Sequence, residues 1–492
     1  MTDAPLALAL DIGTSSCRAG LFNTQGDGVM GSPIRRPYRP RLTGDGGAVL
    51  DAEALAEAVF EALDALAAHV GPEARRVRAV GLSAFWHSLV GTDERGAALT
   101  PVYLWMDGRG AEAAEALRRT LDQQSAHGRT GCVLHESYPL AKLAWLRGRD
   151  PRAFERVRHW MAFGDFLLFR LFGRARSGLS MASGSGLLDT VQRAWDDSLL
   201  KAVGLSPDRL PPLVDVGEPF VGLRPEFASR WPAWAQVPWL PPVGDGGLSN
   251  LGAGCATRER LGLMVGTSGA LRVLWRAPQP EPVPWGVWSY RLGGDWICQG
   301  GALNDGGSLR TWLRETLAFE SYEAVEAALA SGEPDGHGLT VLPMWGGERS
   351  PGWSGGARGA VTGLHFKTTR ADLLRAALES VALWFARILR PLGEAVPEAT
   401  QLVATGGALL HSPAWMQIMA DVLGRPLTAS AVPEASSRGA ALWALDGVGA
   451  LPQPLESMPA PMGRVFTPVA AHTERYRAAA ERQERLYRFA VE

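Results

Sequence analysis

A chain of 492 residues is longer than one hydrophobic core usually organises, so two large domains are expected. Charged residues make up 20% and the net charge is −2, which supplies no basic field for nucleic acid or an anionic membrane and leaves small molecules as the expected partners. Cys17, Cys132, Cys255 and Cys298 have neither metal-ligand nor disulfide spacing, so they read as reduced thiols of a cytoplasmic protein. Met1 to Pro5 carries no basic segment and Asp11 interrupts the early apolar run, so neither a signal peptide nor a membrane span is expected.

The first stretch, Leu6 to Phe22, reads as an apolar strand ending on Asp11, a Gly13-Thr14-Ser15-Ser16 turn and a returning strand. Small hydroxyls, backbone N–H groups and a carboxylate gathered at such a tip suit a phosphate and its metal ion, although a buried hairpin with a polar tip has the same pattern. Asp51 then caps an amphipathic helix with Leu55, Val59, Leu63 and Leu66 on one face, ending before Gly71-Pro72. The strand Val77 to Leu82 delivers Trp86 and His87 to its C-terminal end, where ligands gather in open α/β sheets; a structural histidine is the competing reading.

Asp107 is either a helix N-cap or part of a site, and Arg109 either a site residue or a surface charge. His135, Glu136, Ser137, Tyr138 and Pro139 gather polar groups before a helix start, where Lys142 is a ligand or a surface charge. Lys142 is one of only three lysines, with Lys201 and Lys367. Asp165 reads as a plain helix cap. Nine prolines between Pro207 and Pro242, in a stretch rich in Trp and Val, suggest the connection between two domains or a strap over their junction. Most of the 18 tryptophans are assigned to core and interface packing.

Asp245 follows in a Gly244-Asp245-Gly246 turn at the mouth of a small-residue helix, a reasonable place for a general base. The opening pattern then returns: Leu261 to Trp275 again reads strand, Gly266-Thr267-Ser268 turn, strand. One such hairpin is weak evidence. Two, one in each half, suggest an internal duplication with two loops gripping one polyphosphate across a cleft. Gly300 to Gly307 opens a further helix, Thr369 to Leu392 is the longest amphipathic helix, and Gly406 and Gly407 stand at a strand end where a base or ribose would meet bare backbone. The charged helix from His472 is expected to face solvent or to contact a second copy in a homodimer. A Walker-A run is absent from the sequence, which disfavours a P-loop kinase.

In order and spacing, Asp11 to Ser16, Trp105 to Arg109, Asp245 to Gly252, Gly266 to Gly269, Gly346 to Pro351 with Gly359 to Leu364, and Gly406 to Pro413 resemble the FGGY family of carbohydrate kinases over nearly the whole chain. Within it, Trp86-His87-Ser88-Leu89, His135 with Pro139 to Lys142, and Gly266 to Arg272 look most like gluconate kinases. Glu136, Ser137 and Trp86 depart from the pattern as it is expected in the sugar pocket. The resemblance implies an α/β, duplicated actin-like or ribonuclease-H-like ATPase fold: a sugar-binding domain over residues 1–244, an ATP-binding domain over 245–460 and a terminal helical segment over 461–492.

It further implies ATP and Mg²⁺, with the γ-phosphoryl passing to a sugar or sugar acid and most specifically to D-gluconate. Asp245 is the implied base, Asp11 and Asp245 the implied metal carboxylates, and Trp86, His87, Glu136, Arg109, Lys142 and Asp245 the implied sugar contacts. Gly13, Thr14, Ser15, Gly266, Thr267, Ser268, Gly307, Gly406, Gly407 and His411 are assigned to ATP. Closure over the cleft would exclude water, with a hinge expected near the proline-rich stretch. The alternatives are a xylulokinase or other ketopentose or polyol kinase, an actin-like ATPase of the filament or chaperone type, and a silent sugar sensor.

Overall fold

A computed structural model describes residues 4–491, so Met1 to Asp3 lie outside the described residues. In the first half, β1 (Leu6–Ile12) and β2 (Ser16–Phe22) form an antiparallel hairpin whose register sets Asp11 opposite Arg18. Every residue of β1 is buried, as expected of an apolar run central to a sheet. β3 (Ile34–Pro37) pairs with β2, and α1 (Ala52–Val70), capped by the Asp51 carboxylate accepting from Ala54 N at 2.8 Å, lays its apolar face on the sheet. β4 (Val77–Ala84) runs parallel to β1; after α2 (Pro139–Arg149) the chain returns as β5 (Val243–Gly244), parallel to β4. The strand order is β3-β2-β1-β4-β5.

α3 (Asp245–Gly252) follows β5 and precedes the second sheet. That sheet uses β6 (Arg260–Val265), β7 (Gly269–Arg276), β8 (Trp288–Gly293) and β9 (Trp296–Leu303). Then come α4 (Gly307–Thr316), α5 (Arg370–Ala395), β10 (Gln401–Thr405), α6 (Pro413–Leu423), β11 (Leu427–Ser430), α7 (Ala435–Gly447), β12 (Met462–Phe466) and α8 (Ala470–Val491). The strand order is β8-β9-β7-β6-β10-β11-β12. Its inner five strands, β9-β7-β6-β10-β11, repeat the first sheet with the same antiparallel and parallel pairings. The two hairpins therefore occupy equivalent places, which is the duplication the sequence suggested.

The halves meet where α3 crosses α7, and α7 also packs on β1 and β4. Only glycine permits this approach. A Cβ on Gly252 would sit 1.8 Å from the Ala435 carbonyl oxygen, one on Gly439 1.9 Å from that of Leu248, and one on Gly81 2.0 Å from that of Ala440.

The proline-rich stretch between Pro207 and Pro242 does not link the halves. Trp231, Trp234 and Trp239 are buried in the first-half core, Trp231 against Phe60 and Trp239 against Phe172, and the Val80 N–H donates to the Pro238 carbonyl at 2.9 Å. Its prolines turn the backbone while its aromatics fill the core, so a hinge there has no support in the packing. The charged C-terminal helix is likewise integrated on one face. α8 buries Tyr476, Ala479, Gln483 and Tyr487, and Gln483 donates to the carbonyls of Val341 and Ser380 at 2.9 and 3.3 Å. All four cysteines are buried and free. Among the described residues no helix is long and apolar enough to cross a membrane.

Candidate active site

At the end of β1 the Asp11 carboxylate accepts from Ser83 Oγ at 2.7 Å and from Arg18 Nη1 at 3.1 Å. Burial raises its pKa, and the Ser83 hydrogen bond and the Arg18 guanidinium only partly offset this. Thr14 accepts from Trp105 Nε1 at 3.3 Å, while Ser15 is exposed at the tip. Trp105 lines a cleft of about 870 Å³ together with His135 and Glu136 of the first half and Thr267 and Asn304 of the second. The second hairpin tip thus lines this cleft through Thr267, and the first adjoins it through the Trp105–Thr14 hydrogen bond.

Asp245 begins α3 with Gly246 N–H donating to its own Oδ1 at 2.8 Å. Burial pushes its carboxyl up to about 6; the Arg272 guanidinium opposes the shift and the Asp11 carboxylate adds to it. A Cβ on Gly246 would lie 2.8 Å from Arg272 Nε, so that guanidinium rests directly on the first turn of the helix. Gly244 on the other side gives room to Trp86, whose ring a Cβ would meet at 1.9 Å. Asn250, also on α3, donates to the Arg272 carbonyl at 3.0 Å and fixes β7 beside the helix.

Beyond Asp245 lies a buried aromatic cluster built by both halves. Trp86 and Tyr290 rings are 4.9 Å apart, His87 and Tyr138 4.8 Å, and Trp288 stacks on Tyr290 at 4.3 Å. The Tyr138 and Tyr290 hydroxyls share a hydrogen bond of 2.8 Å across the halves. His87 and Trp353 hold φ of 64° and 58°, left-handed conformations that cost on the order of 1 kcal/mol each and persist only where the surroundings fix them. Burial, then the Arg349 charge, drive the His87 pKa well down, so its ring is neutral. Because the Gly184 carbonyl 2.6 Å from Nδ1 can only accept, the proton sits on Nδ1 and Nε2 remains an acceptor.

In the second half the loops around Gly266, Gly307 and Gly407 converge. Gly307 N–H donates to the Gly266 carbonyl at 2.7 Å and Ser308 N–H to that of Thr267 at 3.0 Å. Gly406, at φ 87°, brings backbone so close that a Cβ would sit 2.4 Å from the Val265 carbonyl oxygen. Next to them is a cavity of about 660 Å³ lined by Gly307, Arg310, Tyr322, Glu326, Gly407 and His411. Bare backbone and a flat aromatic edge suit a nucleotide.

Known proteins share this architecture. The model of the FGGY family of carbohydrate kinases, N-terminal domain, matches residues 6–252, and that of its C-terminal domain residues 261–446. The chain belongs to the FGGY family of carbohydrate kinases. It is an ATP-dependent sugar kinase. It is 29% identical to a gluconokinase of Bacillus subtilis over 90% of this chain and 87% of that protein. It is 30% identical to a xylulose kinase of Klebsiella pneumoniae over 85% of each. The crystal structure of a gluconate kinase from Lactobacillus acidophilus superposes with a TM-score of 0.90 at 23% identity, covering 99% of this chain and 98% of that one.

Within the kinase the sequence-derived residues divide. Asp11, Trp86, His87 and Asp245 gather as expected, and Glu136 lines the cleft. Lys142 is neither a surface charge nor a free ligand. It is fully buried and donates to the carbonyls of Glu136 and Ser137 at 2.7 and 2.6 Å, with burial lowering its pKa to about 7. Arg109 is also engaged, gripping Asp107 through Nε at 3.0 Å and Nη2 at 2.6 Å, with its guanidinium 4.6 Å from the Trp145 ring centre. Asp165 reaches back to the backbone N–H of Ala162 at the start of its helix, as a capping residue does, and also accepts from Gly178 N at 2.8 Å and Ser177 Oγ at 3.1 Å.

Three arginines in the site were not identified from sequence. Arg18 was readable from hairpin register, since a turn over residues 13–16 sets residue 18 opposite residue 11. Arg272 stands out as a charge inside the apolar run of β7. Arg349 carried no signal, because its neighbours arrive from distant parts of the chain. Elsewhere, Asp335, His337 and Glu379 lie close enough together to hold a metal ion, but Glu379 is paired with Arg375 at 2.6 Å and Asp335 with Arg482, so that cluster already has its cations.

Proposed function

We propose that this kinase transfers the γ-phosphoryl of ATP to D-gluconate, giving 6-phosphogluconate, with Asp245 as the general base. The observation that carries the chemistry is Asp245 itself: a carboxyl raised to about 6 at a helix start between Asp11 and Arg272. A base with a pKa near working pH is largely ionised yet able to take a proton. The acceptor hydroxyl gives its proton to the Asp245 carboxylate as its oxygen bonds to the γ-phosphorus, the bond from that phosphorus to the bridging oxygen breaks, and ADP leaves.

Thr14 and Ser15 on one hairpin and Thr267 and Ser268 on the other hold the phosphates, with Gly13 and Gly266 giving the backbone its close approach. Gly307, Gly406, Gly407 and His411 border the nucleotide. Two buried carboxylates with raised pKa, Asp245 in part through the charge of Asp11, and a guanidinium paired directly only with Asp11 fit a further cation; Asp11 and Asp245 would hold Mg²⁺ through water, where it would neutralise phosphate charge. Trp86 and His87 contact the acceptor, His87 accepting a hydroxyl proton through Nε2, and Glu136 closes the cleft side.

The test is the product. Phosphorus–carbon coupling in the NMR spectrum of the reaction with gluconate and ATP should place the phosphate on C6. A second reading, a ketopentose or polyol kinase, is favoured by the similarity to the xylulose kinase. Turnover of xylulose with none of gluconate would decide for it.

A further inference from the structure

Two buried guanidinium groups beside the aromatic cluster lack a counter-ion. Arg272 and Arg349 are 9% and 7% exposed, yet neither side chain makes a hydrogen bond or ion pair among the described residues. Arg272 Nε and Nη1 and Arg349 Nε are sealed from solvent with no acceptor. Burying an unpaired charge is costly, whereas two neighbouring arginines have carboxylate partners: Arg18 with Asp11 and Glu434, Arg109 with Asp107. Buried donors without acceptors of this kind suit an anion.

Arg349 is held for this task rather than loosely placed. Glu348 beside it accepts from Gly352 N at 2.8 Å, Ser354 N at 3.3 Å and the Tyr487 hydroxyl at 2.9 Å. Ser350 on its other side exchanges backbone and side-chain hydrogen bonds with Ala302 and accepts from Trp384 Nε1 at 2.8 Å. The guanidinium lies 5.6 and 5.8 Å from the ring centres of Trp105 and Trp353. Its electrostatic neighbours are His87, His135, Tyr138 and Tyr290 of the aromatic cluster, together with the cations Lys142 and Arg272, the latter on the returning strand of the second hairpin. Arg272 lies between this group and Asp245.

We propose that Arg349, supported by Arg272, binds the carboxylate of the acceptor, so that a sugar acid is seated with its carboxylate away from Asp245 and its far hydroxyl at the base. The inference rests on the reading of the acceptor as gluconate and names the residues that make it so. A planar guanidinium fork matches a carboxylate bidentately, and aromatic faces beneath it keep water out. The groups proposed above for the nucleotide phosphates are instead the hydroxyls of Thr14, Ser15, Thr267 and Ser268 at the hairpin tips. Lys142, the lysine of this region, is spent on the Glu136 and Ser137 carbonyls.

The experiment compares half-saturation by D-gluconate with that by D-glucitol, its uncharged counterpart, taken as substrate or as competitive inhibitor. The native enzyme should prefer gluconate by at least about 10-fold, the order expected of a charge-assisted pair. Arg349→Gln should erase that preference, and Arg349→Lys, which keeps charge without the fork, should restore part of it. If Arg349→Gln fails to fold, the lysine variant alone should still show a reduced preference. Equal weakening of both ligands, or an unchanged preference in either variant, overturns the carboxylate site while turnover of gluconate stands. Failure of the native enzyme to phosphorylate gluconate, with xylulose or glycerol accepted, overturns the functional reading and this inference together.

Discussion

Across the first hairpin the Asp11 carboxylate faces Arg18, 3.1 Å from its Nη1, and the same guanidinium reaches Glu434 of the second half at 3.3 Å through Nε. A single cation therefore joins the Asp11 carboxylate of one half to the start of helix α7 of the other. Asp11 in turn adds to the raised pKa of Asp245, so the hairpin and the base are electrically coupled although they lie 234 residues apart in the chain.

That coupling has a pH signature. With its pKa at about 6, above the ordinary carboxylate range, Asp245 is the competent base only above that pH. The acceptor kcat/KM should fall as pH drops through about 6. Asp11→Asn removes the neighbouring negative charge, so its residual activity should show an acid limb displaced to lower pH. A pH–rate series on both proteins checks the direction.

Asp245→Asn should retain ATP and acceptor binding, measured by calorimetry, while kcat falls by roughly 10²-fold or more, the scale of a positioned base. Near-native turnover would remove Asp245 from its assigned role. Asp11→Ala should weaken Mg²⁺-dependent turnover far more than acceptor binding. Equal loss of both would make the hairpin scaffold.

Lys142→Met leaves the carbonyls of Glu136 and Ser137 without their buried donor. The loop carrying Glu136 should loosen, raising the acceptor KM several-fold with little change in the KM for ATP. Steady-state kinetics with each substrate varied in turn separates the two. A larger effect on ATP would contradict the role of Lys142 as a clamp on the acceptor side.

At the junction, Gly81→Ala should destabilise the protein by about 1–3 kcal/mol, because the new methyl would run into the Ala440 carbonyl and crowd the Ala444 methyl. Gly148→Ala, inside α2 with no atom within 4 Å of the added methyl, should be neutral or stabilising by up to about 1 kcal/mol. Denaturant titration of the two variants compares them directly.

Much of the fold was legible because it is local. The hairpins announce themselves by turn chemistry, the helices by caps such as Asp51 and the Thr369–Asp372 capping box, and the duplication by their recurrence. What escaped depends on distant contacts. Lys142 looks like an available cation until two carbonyls are placed on it, and the tryptophans of the proline-rich stretch look like a strap until β4 pairs beside them. Arg272 and Arg349, both from the second half, meet a first-half side chain, His87, more than 180 residues away in sequence. Spacing along the chain does not encode that meeting.

The central claim is that an ATP-dependent sugar kinase of this architecture takes gluconate as its acceptor. A coupled ADP-release assay across D-gluconate, xylulose, ribulose and glycerol tests it most directly. The account predicts the highest kcat/KM for gluconate, by at least about 10-fold over each neutral acceptor. Equal or greater efficiency with xylulose, ribulose or glycerol would contradict it.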